Sequence, residues 1–89
     1  MEFRWNKANT EHIANHGVSP DEAERVVRNA RRPHPLLRDD DKWLVWGRGH
    51  GGRLLQVVFI LDEDNGIYVI HARPLTENEK RRFRRRESQ

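Results

Sequence analysis

Three apolar segments in the second half of the chain, joined by short glycine-bearing links, most constrain what it can fold into. The segments are KWLVWG, RLLQVVFIL and GIYVIHA, and the links are GRGHGG and DEDNG. β-Branched and aromatic residues dominate the segments, and links of this length and composition are typical of β-hairpins. The second and third segments are apolar on both faces apart from Gln56, so we expect them at the centre of an antiparallel meander.

The first residues carry a candidate edge strand, EFRW, followed by a first helix. Asn6 is placed to cap that helix, which is predicted to run to about Asn15. The pair His16 and Gly17 supplies its stop, because glycine accepts the left-handed conformation that closes a helix. Val18 is the apolar residue expected to pack back on this closure.

The segment SPDEAERVVRNA predicts a second helix that lies on the sheet. Ser19 is its cap, Pro20 stands at the first helical position, and Glu22 is expected to complete a capping box. One narrow apolar stripe follows at helical spacing: Ala23, Val26, Val27 and Ala30.

Beyond the helices, RPHPLLR contains two prolines and is predicted to be an extended lead-in or an edge strand. At the other end of the chain, Thr76 and Glu79 form a capping box that opens a terminal helix. The predicted fold class is α+β: two N-terminal helices packed on an antiparallel β-meander of about four strands, then a short basic helix. Residues 1–89 make one domain, and residues 80–89 are its basic tail.

Composition excludes several classes of protein. The chain has no cysteine, so disulfides, thiolate zinc sites and a cysteine nucleophile are excluded. Its N-terminus lacks the apolar core of a secretion signal, and no apolar run approaches the roughly 20 residues that span a bilayer. We therefore expect a cytoplasmic protein with no membrane partner.

The net charge of +3 is concentrated in the tail. The run KRRFRRR holds six of the seventeen basic residues, and residues 1–79 carry 11 basic against 13 acidic residues. Such a run suits phosphate or an acidic partner, although a solvated helix end that aids solubility explains it equally well.

Metal and nucleophile chemistry have weak candidates. The clusters DDD and DED lie beside turn signals, where aspartate is favoured for its backbone hydrogen bonds. His12 and His16 share a helix face, a spacing that is also seen in zinc enzymes. In those enzymes a glutamate base lies between the two histidines and a third ligand follows, whereas here the intervening residues are Ile13, Ala14 and Asn15. The serines and threonines are assigned to helix starts or to the tail. We expect no metal, no cofactor and no protein nucleophile.

Arginine and histidine at strand ends are the remaining chemistry. Arg48 and Arg53 flank a hairpin with His50 at its tip, and His71 and Arg73 end the last strand. In an antiparallel meander these ends meet at one edge of the sheet. Guanidinium groups around an imidazole suit a phosphodiester, with arginine stabilising charge and histidine moving a proton.

Each of these residues also has a structural interpretation. A histidine near a strand end is often a hydrogen-bonded structural residue. Arg73 could pair with Glu79 or Glu77 and brace the terminal helix, and Arg53 could be a hairpin flank. Their expected convergence is the argument for function.

Several short patterns in order resemble the BrnT-like toxins of toxin–antitoxin modules. They are an early Trp5, HG before a capped helix with EA, GR at the start of an apolar strand, and ARP followed by EKRRF. The resemblance spans Phe3 to about Arg84 and implies a RelE-like ribonuclease fold.

The resemblance also implies a function. It is cleavage of messenger RNA without a metal, inhibiting translation, under control of a small ribbon-helix-helix antitoxin. A homodimer or a heterotetramer with the antitoxin are the assemblies considered. The catalytic candidates are His71, Arg53 and Arg73. The candidates for substrate binding are Arg48, His50, Lys80, Arg81 and Arg84.

Two positions depart from the family pattern. His71 stands where serine is frequent before AR, and Phe83 stands where tyrosine is usual. The loss of that hydroxyl favours an alternative, a non-catalytic toxin-like module that grips an antitoxin or nucleic acid through its tail. A stable but inert remnant is a third interpretation.

Overall fold

The computed structural model describes residues 1–88 and shows an α+β fold with three α-helices and a five-stranded mixed sheet. In chain order the elements are β1 (Phe3–Arg4), α1 (Lys7–Ala14), α2 (Pro20–Arg28), β2 (Leu36–Arg38), β3 (Lys42–Arg48), β4 (Leu54–Leu61), β5 (Ile67–Pro74) and α3 (Glu77–Glu87). A short 3₁₀ turn, His50–Gly52, lies in the hairpin between β3 and β4.

The sheet order is β1-β5-β4-β3-β2. Strands β2 to β5 are the predicted antiparallel meander. The candidate edge strand EFRW supplies the fifth strand, and only its parallel pairing with β5, through two residues, was not predicted. β1 and β2 are both short edge strands, as EFRW and RPHPLLR indicated.

Helices α1 and α2 cover one face of the sheet. The apolar stripe of α2 is buried with Ile13 of α1 against inward-facing side chains of the three long strands, among them Val45, Leu55, Val57 and Val69. Burying one such side chain contributes roughly 1.5–3 kcal/mol, so this layer supplies most of the stability of so small a domain.

The C-terminal turn of α1 closes as the sequence predicted. Gly17 has a φ of 73°, and its N–H donates to the carbonyl of Ala14. Val18 donates its N–H to the carbonyl of Ile13 and is itself buried. These two hydrogen bonds form the Schellman motif, and they hold His16 in the turn that closes the helix.

The predicted capping box of α2 is only half present. The Ser19 hydroxyl accepts from the Glu22 N–H, but the Glu22 carboxylate does not return to the cap. It binds Arg53 and the N–H of His50 instead. A charged hydrogen bond to a guanidinium is stronger than one to a backbone amide, which explains the exchange of partners.

Helix α3 contacts the other face of the sheet. Its capping box is complete, with the Thr76 hydroxyl and the Glu79 carboxylate each bonding the other's backbone N–H. A cross-strand row lies beneath the helix, in which Gln56 pairs with Trp46 on one side and Arg73 on the other. The buried amide oxygen of Gln56 accepts from both neighbours, so a polar network fixes the start of α3 on the sheet.

Candidate functional site

The end of β5 lies beside the start of β4, as the strand-end argument expected. Leu55 pairs with Pro74, and the N–H of Leu75 donates to the carbonyl of Leu54 at 3.0 Å. The guanidinium groups at this seam nevertheless bind two different carboxylates. The arginines therefore do not gather around one open anion site, as the sequence had led us to expect.

Arg53 is bound to Glu22 on the helix-covered side. Its Nε lies 2.8 Å and its Nη2 2.5 Å from the two carboxylate oxygens, and Nη2 also donates to the carbonyl of Gly17 at 2.6 Å. Glu22 is buried, and the hydrogen bond from Arg53 lowers its carboxyl pKa. Within residues 1–88, the Nη1 of Arg53 has no partner, so this arginine retains two N–H groups for an anion.

Arg73 is more fully engaged. Both terminal nitrogens bind Glu79, at 2.7 and 3.0 Å, and they also donate to the carbonyl of Pro74 and the amide oxygen of Gln56. The pairing lowers the Glu79 pKa to about 2. Arg73 therefore braces α3 against β5, which was its structural interpretation from sequence.

His71 lies against two other imidazoles. Its ring centroid is 5.7 Å from that of His12 and 5.3 Å from that of His16, and those two rings are 6.1 Å apart. One nitrogen from each ring lies within 4.8 Å of the others, close enough to share one small ligand. His71 is half-buried, and burial with the neighbouring His16 and His12 lowers its pKa.

The remaining predicted binding residues are spread over the loop and α3. Arg48 pairs with Glu87 at 2.6 Å and lies over the ring of Phe83. The backbone of His50 donates to Glu22, whereas Lys80 pairs with Glu77 and Arg81 with Asn78. Arg84 is exposed on α3. These residues form no single site with His71.

A cleft of about 560 Å³ lies between the end of α2, the β3 edge beyond its pairing with β2, and the end of α3. It was not predicted, because its parts come from three separate segments. Five arginines and one glutamate line it, together with three rings: Arg25, Arg31, Arg32, Arg48, Arg86, Glu87, His34, Trp46 and Phe83.

The cleft is strongly positive. Among residues 1–88, only Arg48 of its five arginines pairs with a carboxylate, and the cleft's one glutamate is that partner. The other four are exposed, and none of them lies within 4 Å of a carboxylate of the described residues. Cations that neutralise no acid in their own chain are available to an anionic ligand.

The cleft also contains a buried nitrogen without a partner. His34 is 7% exposed, and its Nε2 has no hydrogen-bond partner among the described residues. Burial and the neighbouring Arg86 lower its pKa, which favours the neutral ring. An unsatisfied buried polar atom costs about 1–3 kcal/mol, which a ligand with a polar edge would offset. The Trp46 ring lies 6.0 Å from that of His34, and the guanidinium of Arg82 covers the indole.

Two patterns in the sequence point to the histidine cluster and to the cleft. The His12 and His16 pair was visible, but its third imidazole comes from a strand more than fifty residues later. The arginines that line the cleft include a pair, Arg31 and Arg32, at the start of the proline-containing segment. A scan for basic residues without acidic neighbours would have found them.

No family model, curated protein or solved structure matches this chain. Within residues 1–88, no helix has both the length and the apolar character needed to cross a membrane.

Proposed function

We propose that this chain is the toxin of a toxin–antitoxin module and acts on RNA in the cytoplasm as a metal-independent ribonuclease. The observation that carries the proposal is the cleft, in which four arginines surround aromatic rings and a buried imidazole nitrogen; among residues 1–88 these arginines have no carboxylate partner and this nitrogen has no hydrogen-bond partner. Arginines bind phosphates, rings stack bases, and the His34 nitrogen suits a base edge or a 2′-hydroxyl.

The fold supports the same proposal. The resemblance to RelE-like toxins implies two N-terminal helices, an antiparallel meander and a short basic C-terminal helix, and this chain has these elements in this order. We propose that a ribbon-helix-helix antitoxin neutralises the chain, within a heterotetramer or beside a toxin homodimer.

Cleavage is assigned to His71 and Arg53. A metal-free ribonuclease must accept a proton from the 2′-hydroxyl as the O2′–P bond forms, supply a proton to the 5′-oxygen as the P–O5′ bond breaks, and stabilise the phosphorane with cations. In this proposal His71 accepts the 2′-hydroxyl proton, water protonates the leaving 5′-oxygen, and the Nη1 of Arg53 contacts the phosphate. Arg53 is anchored on Gly17, which follows His16 in the imidazole cluster, so the two groups share one end of α1. Arg73 has a positioning role through Glu79.

The pairing of Arg53 and Arg73 with acids favours a second candidate function. In that case the chain is a non-catalytic module that grips RNA or an antitoxin through the cleft and tail. One measurement distinguishes the two candidate functions: whether the protein cleaves the RNA that it binds.

The test uses purified protein, a single-stranded RNA and EDTA throughout. The wild type is expected to cleave, and His71→Ala and Arg53→Ala to slow cleavage by about 100-fold or more while RNA binding is retained. Arg38→Ala, exposed on an edge strand away from both sites, is the control. Binding without cleavage by the wild type would select the binding module, and equal cleavage by all variants would remove the catalytic assignment.

Growth provides the second readout. Expression of the wild type is expected to arrest growth, and co-expression of a ribbon-helix-helix protein encoded immediately downstream is expected to relieve the arrest. Arrest that persists with that partner would contradict the proposed module.

A further inference from the structure

The three-histidine cluster consists of His12 and His16 from α1 and its closing turn, and His71 from β5. His12 and His16 are exposed, and His71 is half-buried. Within residues 1–88, none of the three imidazoles makes a hydrogen bond or an ion pair. The three rings are turned toward one another, and one nitrogen from each ring lies within 4.8 Å of the other two.

The backbone fixes these three positions. The buried Asn9 amide donates to the carbonyl of Val69 at 3.1 Å, which ties α1 to β5 two residues before His71. The closure at Gly17 then holds His16 one turn beyond His12.

A β-bulge in β5 orients the ring of His71. The pairing of β5 with β4 skips Ile70, so Val69 before the bulge and Ala72 after it both point into the core. A bulge bends its strand and redirects the adjacent side chain. His71 consequently reaches α1 although it pairs with Val58, whose neighbours Val57 and Phe59 face the core.

The donor set selects a class of ion. Neutral imidazole nitrogen is a good ligand for zinc, copper, nickel and cobalt, whereas calcium and magnesium require oxygen ligands.

We propose that His12, His16 and His71 form a three-imidazole site for a divalent first-row transition metal of the zinc class, with the fourth position open to solvent. Tetrahedral ligands at about 2.0–2.1 Å from zinc are roughly 3.3 Å apart. The ring nitrogens lie within 4.8 Å of one another, and His12 and His16 are exposed, so rotation of their side chains is the movement that metal binding requires.

Binding is measured with Co²⁺ and Zn²⁺ on the full chain. The wild type is expected to bind one Co²⁺ with the visible absorption of a tetrahedral complex, and to bind one Zn²⁺ by calorimetry with a rise in melting temperature. His12→Ala, His16→Ala and His71→Ala are each expected to weaken binding by about tenfold or more. His50→Ala removes an exposed histidine outside the cluster and is the matched control.

Folding of each variant is checked by circular dichroism and by its metal-free melting curve. His71→Asn provides a second, polar replacement at the half-buried position, and it is expected to bind as weakly as His71→Ala. Binding by the wild type that is not saturable, or equal loss in the three variants and the His50→Ala control, would overturn the site.

Occupation of this site has a consequence that rests on the proposed ribonuclease function. A metal on His71 takes the lone pair that proton transfer requires, so one equivalent of Zn²⁺ is expected to suppress cleavage and EDTA to restore it. The two proposals fail separately. A chain that binds Co²⁺ but cleaves no RNA contradicts the ribonuclease alone, and a chain that cleaves RNA but binds no metal overturns the metal site alone.

Discussion

At the scale of single residues, the acids that pair with arginines determine which guanidinium groups remain available. Glu22 and Glu79 each bind one guanidinium with both carboxylate oxygens, and each has a lowered pKa because of that arginine. Among residues 1–88, four of the five arginines of the cleft pair with no carboxylate, which is why we place the anion-binding surface there rather than at the β4–β5 seam.

Replacement of Glu22 tests the first of these pairs. Glu22→Ala removes the partner of Arg53 and of the His50 N–H, and we expect a loss of about 2 kcal/mol in the free energy of unfolding. Arg53 is 42% exposed and can turn to solvent, which limits the loss. Glu11→Ala, at an exposed pair with Lys7, is expected to cost less than about 0.5 kcal/mol. Equal losses in urea unfolding would contradict the assignment.

The second pair predicts a pH dependence of stability. The pairing lowers the Glu79 pKa from 4.5 to about 2, so the folded state keeps this carboxylate ionised to lower pH than the unfolded chain does. The stabilisation is therefore full above the unfolded pKa and is lost as the pH falls toward 2. We expect the wild type to be more stable than Glu79→Gln by about 1–2 kcal/mol at pH 7 and by little at pH 2.

The control for this prediction is Glu63→Gln, an exposed acid in the β4–β5 turn. It is expected to follow the wild-type curve of unfolding free energy against pH. A Glu79→Gln curve that stays parallel to the wild type from pH 7 to pH 2 would show that the pair contributes nothing to acid sensitivity.

At the scale of elements, local sequence signals specified the helices better than the sheet. The caps at Asn6, Ser19 and Thr76 and the stop at Gly17 were all predicted, because each uses hydrogen bonds between residues a few positions apart. The parallel pairing of β1 was not, since a two-residue strand has almost no pattern of its own.

The packing of α1 on β5 gives the element-scale prediction. Asn9→Ala removes two donors, to the carbonyls of Arg4 and Val69, and an acceptor for the Asn6 N–H. We expect a loss of about 2–3 kcal/mol, measured by urea unfolding, because buried carbonyls are left unsatisfied. Asn15→Ala, exposed after the same helix, is the control. Matching stabilities would show that α1 is held on the sheet by apolar contacts alone.

The candidate site was less predictable than the fold for a physical reason. His71, Arg53 and Arg73 were named from strand ends, and the strand ends do meet. The sequence offered Glu79 as a partner of Arg73, but it could not show that Glu22 binds Arg53, because these two residues are thirty-one positions apart and are brought together only by tertiary packing. For the same reason, the sequence did not show that His71 lies beside His12 and His16, or that the arginines of the cleft come together.

At the scale of the whole molecule, positive charge is concentrated in α3 and around the cleft. Residues 1–79 are net negative and α3 is strongly basic, and cations of α2 and of the segment after it, which pair with no acid among residues 1–88, lie next to the end of α3. The result is one positive surface on a nearly balanced chain. Such a surface suits a polyanion and predicts a strong effect of salt on binding.

The salt dependence of RNA binding tests the role of the cleft most directly. The triple variant Arg25→Gln, Arg31→Gln and Arg86→Gln is compared with a triple of equal charge change outside the cleft: Lys7→Gln, Arg38→Gln and Lys42→Gln. Affinity for a single-stranded RNA is measured by fluorescence anisotropy over a range of salt concentrations. We expect the cleft triple to lower the slope of log affinity against log salt by about 2, since each arginine that no longer neutralises a phosphate reduces it by about 0.7, and the control triple to leave it unchanged. Equal slopes and equal affinities for the two triples would contradict the account.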